Sequence, residues 1–423
     1  MRTLTVLLAL LALASFITPA HAQFWVATGR YSIDDSSDGN DADNSFRVGN
    51  ASATAGAIGA ATFVSGNLSL ASAALGPQIG VGTIDMVNLA FVRGWGSLIM
   101  LDGTLSLNTP GNTISCGNNG VGYLTQTGGT LNMGAAGKEI FFGGASTSGG
   151  FARKNAGYGE GNAEMRGGVL NFATTVRVGG YNYWKDADPL NTTAWDPSGH
   201  CKGVFTQTGG TITNASNMFV GFFGADGTLS FLKNSVYTQT AEFLQIGNAG
   251  FKTYTAQDGS TATIGLYGKA ILKVGKDATV SVPSFLIYDN ASVSEFQVEL
   301  ASTSDYSQVS VSGAFCNGAQ WDTAVPDNLN PKLVVTLANP LFTPVLGDKF
   351  DLVTYGSLVA DTIANPTGGN DPFSSIVAPA LSDPTWYWNV DFQANKMVLE
   401  VLPEPATLAL LAMGGLALIR RRR

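Results

Sequence analysis

Histidine is the side chain that most often moves protons near neutral pH, and this chain has two, His21 and His200. With so few bases, no Ser-His-Asp or Cys-His arrangement finds a convincing partner for a nucleophile. His200 beside Cys201 supplies too few ligands for zinc. A glycosidase needs two carboxylates poised across a cleft, whereas Glu139, Glu160, Glu164, Asp226 and Glu242 are scattered without recurrent pairing. The glycine run Gly157-Tyr158-Gly159-Glu160-Gly161 opens no helix, so it carries no phosphate-binding meaning. The expectation is a chain that is not an enzyme and needs no cofactor.

Two constellations bear on binding. The run from Asp34 to Asn44 carries Asp34, Asp35, Asp38, Asp41 and Asp43, and clustered oxygens are what Ca²⁺ takes. It lacks the EF-hand spacing and the distal bidentate glutamate, which favours an acidic solvated loop. The segment from Tyr181 to Pro197 carries Tyr181, Tyr183, Trp184 and Trp195 among Asp186, Asp188 and Asp196. Flat aromatics can stack on sugar faces while carboxylates take hydroxyls, and long insertions in repeat proteins often bind. The plainer reading, which is preferred, is a loop whose aromatics cover the flank of the body.

The ends of the chain are addresses. Met1-Arg2-Thr3, an apolar run from Leu4 to Ile17, and Ala20-His21-Ala22 have the order of a signal peptide, with cleavage expected after Ala22. At the other end, Leu402-Pro403-Glu404-Pro405 precedes an apolar run from Ala406 to Ile419 and then Arg420-Arg421-Arg422-Arg423. As a helix the run would be about 21 Å long, short of a roughly 30 Å hydrocarbon core. It can span by thinning the bilayer and letting arginines snorkel. Arg420, Arg421, Arg422 and Arg423 hold their side in the cytoplasm, so everything before Pro403 faces outward.

This tail resembles that of the PEP-CTERM exported proteins of Gram-negative bacteria, in the order Pro-Glu-Pro, short apolar helix, arginine cluster. Leu402 stands where the commonest family pattern has valine. The resemblance implies that a membrane enzyme, exosortase, recognises Pro403-Glu404-Pro405, removes the tail and passes the protein towards the cell surface. Its partners would then be signal peptidase and the secretion machinery, the exosortase-type enzyme, the inner membrane in passing, and extracellular polysaccharide.

Between the ends, charged residues make up 13% of the chain and glycines number 52. Removing Arg2, Glu404 and the four terminal arginines takes the formal net charge from −8 to −12. An acidic body has no use for phosphate backbones, so no nucleic acid partner is expected. Cys116, Cys201 and Cys316 are far apart and match no metal spacing; isolated buried thiols are expected.

What positions all of this is a repeat. Ser97–Leu105, Tyr123–Asn132, Asn162–Asn171 and Val204–Thr213 each place two β-prone runs around a glycine corner, and a weaker copy runs from Val236 to Thr240. Gly128 to Gly167 is 39 residues and Gly167 to Gly209 is 42. Second apolar runs end at Gly143-Gly144, Gly179-Gly180, Gly221 and Gly247. Apolar residues alternate with Thr, Ser, Gln or Asn, the period of half-buried strands, and no amphipathic helix is found between Gln23 and Val401. The body therefore reads as an all-β, right-handed parallel β-helix or solenoid, similar to autotransporter passenger domains, with one short transmembrane helix at its C-terminus; a β-sandwich pair is the main rival.

From about residue 293 the pattern changes to Ser294–Leu300, Asp305–Gly313, Leu333–Leu337, Leu346–Val353 and a closing hairpin over Trp386–Phe392 and Met397–Val401. This order resembles a C-terminal module found behind such repeats in surface proteins with the same tail, and implies a β cap. The organisation expected is a signal peptide over 1–22, Gly-rich solenoid over 23–292, capping module over 293–401 and sorting tail over 402–423. The function expected is a structural or adhesive protein of the cell surface or matrix, associated with exopolysaccharide or biofilm. The alternatives are a polysaccharide lyase or glycosidase-like β-helix enzyme and a non-catalytic carbohydrate-binding protein.

Overall fold

The computed structural model describes residues 24–29, 31–33, 46–48, 58–65, 67–69, 79–81, 95–107, 114–118, 121–134, 139–144, 159–180, 201–222, 225–248, 250–255, 261–266, 268–288, 293–319, 331–358 and 373–404. The described part is all-β, with no helix and with most strands paired in parallel. Three short strands make one rung, and each strand pairs with its counterpart one rung on.

The rung beginning at Val121–Gln126 shows the plan: Val121–Gln126 on the first face, Thr130–Met133 on the second, Ile140–Gly144 on the third. The next rung repeats it with Glu160–Met165, Val169–Phe172 and Val176–Val178, aligned residue for residue. On the first face the column Leu98, Leu124, Ala163, Phe205, Leu229, Leu272, Phe296, Leu333 runs unbroken through the stack. Every member is buried. Alternate residues face out, which is why each strand reads as apolar–polar alternation. Aromatic rings fill the axis: Phe142 lies edge-on to Phe172 and Phe205, with centroids 6.3 and 5.1 Å away, and Phe231 stacks on Tyr237 at 4.5 Å.

The recurrent Gln-Thr-Gly-Gly is explained at the first corner. Gln207 is buried at the end of its strand, and its Nε2 donates to the carbonyls of Gly210 at 2.9 Å and Val236 in the next rung at 3.1 Å. Gln126 does the same towards Val169, at 2.9 Å. A buried carbonyl left without a donor costs about 1–3 kcal/mol, so the glutamines fasten corner to corner. The second glycine must be glycine: Gly168 has φ +82°, and a Cβ there would lie 2.5 Å from the Gly129 carbonyl oxygen.

The repeat length departs from the 39–42-residue spacing of the sequence copies. Phe205 and Leu229 are register partners 24 residues apart, as are Leu272 and Phe296. The true rung is therefore the shorter unit, and the longer spacings are one rung plus a segment inserted between third and first faces. Residues 82–94, 145–159, 179–201 and 249–268 all fall at that junction. The segment Val236–Gln239, aligned by sequence with Val204–Gln207, instead lies beside Thr211–Asn214 on the second face; the first-face partner of Lys202–Gln207 is Asp226–Phe231. The shared letters Val-x-Thr-Gln arise because both faces alternate in the same way.

Parallel stacking runs on past residue 293, where Lys269–Val274 pairs with Val293–Ser302 and that strand with Lys332–Leu337. The ends turn antiparallel. Phe24–Gly29 runs against Ile58–Ser65, while Lys396–Pro403 runs against Lys349–Leu358 and forms a hairpin with Trp386–Phe392. All three cysteines are buried thiols outside any disulfide.

Burial pushes the Cys116 thiol up to about 12, from an ordinary value of 9.0. In the unfolded chain it ionises from pH 9 upward, while in the folded chain it stays neutral until about pH 12. Its stabilisation is complete below pH 9 and is lost as pH rises through that window, at about 1.4 kcal/mol per unit. Chemical denaturation at pH 7, 9 and 10.5 should show stability falling above pH 9, and Cys116→Ala should flatten the slope by about that amount.

Candidate functional site

The Pro-Glu-Pro motif starts inside the fold. Pro403 is the last residue of the strand Lys396–Pro403 and pairs with Trp386 across the closing hairpin, while Leu402 pairs with Tyr387. The Glu404 amide donates to the Thr385 carbonyl at 2.7 Å, and its side chain is exposed. The strand itself is well held. Met397, Val398, Leu399 and Val401 are buried, Lys396 Nζ reaches Asp351 at 3.0 Å, and Glu400 meets Lys349 at 3.1 Å and Asn389 at 3.0 Å. Tyr355 clamps the hairpin from the preceding rung: its hydroxyl donates to the carbonyls of Gln393, at 2.6 Å, and Lys396, at 2.9 Å. Burial, and the Asp391 charge with it, pushes that phenol up to about 12, so it remains a donor at any ordinary pH.

The motif thus leaves a rigid edge with its first two residues placed and its backbone tied. Pro405 and the arginines Arg420, Arg421, Arg422 and Arg423 lie outside the described residues, as do Ala20 and Ala22. So do the aromatic candidates Tyr181, Tyr183, Trp184 and Trp195 and the acidic run Asp34, Asp35, Asp38, Asp41 and Asp43. What the structure adds is where the aromatic segment is attached: it leaves after Gly179-Gly180, returns at buried Cys201, and shares its corner with the other long insertions. Among the described residues, no helix is long and apolar enough to cross a membrane, and no group of three or more His, Cys, Asp or Glu is arranged to hold a metal ion.

A buried charge went unnoticed in the sequence. Arg177, on the outward side of the third face, is buried; its guanidinium lies 3.8 Å from the Phe222 ring centre and 4.5 Å from that of Phe219. Its Nη2 donates to Glu139 from the preceding rung. Cation–π contacts of this kind reach about 2 kcal/mol when desolvated, and the cluster ties three successive rungs together. One carboxylate, one guanidinium and two rings pack as structure; they do not form the paired acids of a hydrolase. The outward neighbours Phe141, Gln245, Leu286 and Cys316 on the same column are buried too. The third face is therefore covered on both sides, and the first and second faces carry the exposed columns.

No family model matches the chain, and the search of curated proteins finds no match.

Proposed function

We propose that this chain is an exported structural or adhesive protein of the bacterial cell surface or extracellular matrix, without catalytic activity, sorted through its Pro-Glu-Pro tail. The observation that carries this reading is the juncture at the C-terminus: a stiff stack of parallel strands ends in a locked antiparallel hairpin, and that hairpin runs directly into Pro403-Glu404. A sorting enzyme working at the membrane needs its motif at an exposed end of a folded body, and this arrangement provides one. In the same proposal the coil is right-handed, as parallel crossovers are, and residues 293–401 close its end. The apolar run 406–419 crosses the inner membrane until the tail is removed.

The body suits a mechanical part. Each rung pairs its backbone with two neighbours, which keeps edges from exposure except at the ends. An outward column of the second face runs Ser106, Asn132, Asn171, Thr213, Thr238, Ser281; Asn171 donates to Asn132 at 2.8 Å and Asn132 to Ser106 at 2.9 Å, forming an ordered polar ladder. Hydroxyl and amide groups at regular spacing, with few charges, match the hydrogen-bonding character of neutral polysaccharide. Incubating the mature chain with extracellular polysaccharide purified from the host and sedimenting the polymer tests this. Co-sedimentation that persists at high salt, with no release of reducing sugars or unsaturated ends, is expected. Depolymerisation of the polysaccharide would contradict it and establish an enzyme instead.

A further inference from the structure

Next to the exit of the chain stands an apolar loop with exposed side chains that no described residue covers. Between the strands Lys332–Leu337 and Lys349–Leu358 the sequence is Pro340-Leu341-Phe342-Thr343-Pro344-Val345-Leu346-Gly347. Phe342 turns in and lies edge-on to Phe350, while Leu341 is 88% exposed and Val345 and Leu346 are about half exposed, at 48% and 47%. A single exposed leucine needs no explanation, but three exposed apolar side chains gathered in one loop are the kind of patch that marks a contact surface. The loop holds these side chains firmly. The amide of Leu341 donates to Asn339 Oδ1 at 3.0 Å, that of Phe342 to the Asn339 carbonyl at 3.1 Å, and that of Val345 to Asp348 Oδ2 at 2.8 Å.

The loop is also fastened to the strand that carries the sorting motif. The Gly347 amide donates to the Val401 carbonyl and the Val401 amide to the Asp348 carbonyl, each at 3.0 Å. On the other side of that strand, Trp386 and Tyr387, both partly exposed, pair with Pro403 and Leu402. Leucine, valine, tryptophan and tyrosine therefore flank the point at which the chain leaves the fold. Only Pro405 separates Glu404 from the apolar run that starts at Ala406. One residue spans at most about 3.6 Å, so a tail inserted in a bilayer brings this end of the body to the lipid surface. Tryptophan and tyrosine favour that depth.

We infer that the loop Pro340–Gly347, together with Trp386 and Tyr387, is a membrane-docking surface that rests on the outer side of the same bilayer that holds the tail. The inference rests on the proposed insertion of residues 406–419. Its occupant is neutral lipid surface and not anionic headgroups: Asp348 and Asp383 accept from the Val345 and Thr385 amides, Glu404 is exposed, and Lys349 is paired with Glu400. The consequence is positional. Docking holds the Pro-Glu-Pro bond at a fixed height over the membrane, within reach of an enzyme embedded there. Once the tail is cut, three aliphatic side chains and two aromatics are too small an anchor to retain the body, which leaves.

The test uses the full chain, reconstituted through its tail into phosphatidylcholine vesicles and carrying an environment-sensitive dye at Leu341→Cys. The native thiols Cys116, Cys201 and Cys316 are buried, and unlabelled parent protein checks that they do not react. A second variant carries the dye at Tyr123→Cys, on an exposed first-face position six rungs, or about 29 Å, from the Lys332–Leu337 rung. Headgroup-level nitroxide lipid should quench the Leu341 label at least about threefold more than the Tyr123 label, and the difference should survive 1 M salt. Equal, weak quenching at both positions in chains that float with the vesicles would overturn the docking surface while leaving tail insertion standing. Chains that do not float at all would remove tail insertion, and the docking surface with it.

Discussion

Gly203→Ala should cost the folded chain more than about 4 kcal/mol, the range of damage that only a few mechanisms produce. Gly203 belongs to an inward column made of Gly59, Gly96, Gly122, Gly161, Gly203 and Gly227, which gives way to Ala270 and Ser294 towards the C-terminus. At this position the first strand of a rung passes against the backbone that ends the third strand of the previous one. A Cβ on Gly203 would collide with the Gly179 nitrogen and the Phe142 carbonyl oxygen, both main-chain atoms. Neither can rotate away, so the rungs must separate, and Phe142 and Phe205 lose their contact. Gly347→Ala is the control: its φ of +91° is unfavourable to alanine, but nothing lies within 4 Å. It should cost only about 1–2 kcal/mol. Urea denaturation of both variants beside the parent reads the difference, and equal losses would show that the close passage is not what selects glycine.

Replacing Pro403, Glu404 and Pro405 together by alanine should move most of the chain from outside the cell to the inner membrane. The substitution leaves the fold intact because the contacts made here are main-chain ones: Thr385 accepts from the Glu404 amide whatever its side chain, and the strand is held upstream by Val398, Leu399 and Val401. Mis-sorting would therefore report lost recognition and not misfolding. Leu402→Val, a conservative change just before the motif, should sort as the parent does. Fractionation of the host with antibody detection distinguishes the two, and unchanged export of the triple-alanine chain would dissociate sorting from the motif.

Much of this architecture was open to sequence reasoning because β-solenoids write their register into the chain. Period-two alternation names the strands, and the paired glycines at 128–129, 167–168 and 209–210 mark one corner in successive rungs, as their aligned strands confirm. Rung length was not legible. Insertions enter at a single junction, so the spacing between most of the obvious copies measures rung plus insertion, and the unit shows at the plain turns from Leu98 to Leu124, from Phe205 to Leu229 and from Leu272 to Phe296. The glycine column was legible in retrospect, as a glycine two residues before each buried first-face residue such as Leu124, Ala163 or Phe205. It was obscured because glycine is abundant everywhere else. The Arg177 cluster was not legible, since Glu139, Phe219 and Phe222 come from neighbouring rungs and meet it only through stacking. The setting of the sorting motif was half legible: the motif and the hairpin strands could be named, but not that Gly347 and Asp348 would bond Val401 and bring an apolar loop to the exit.

The two ends are proposed as addresses, and the most direct measurement is the intact mass of the protein recovered from each fraction of its native host. The prediction is an extracellular or surface-bound chain beginning at Gln23 and lacking the arginine tail, cut at or near Pro403-Glu404-Pro405. A chain that keeps Arg420–Arg423 and resides in the inner membrane would contradict it, leaving a membrane-tethered protein whose body faces the periplasm.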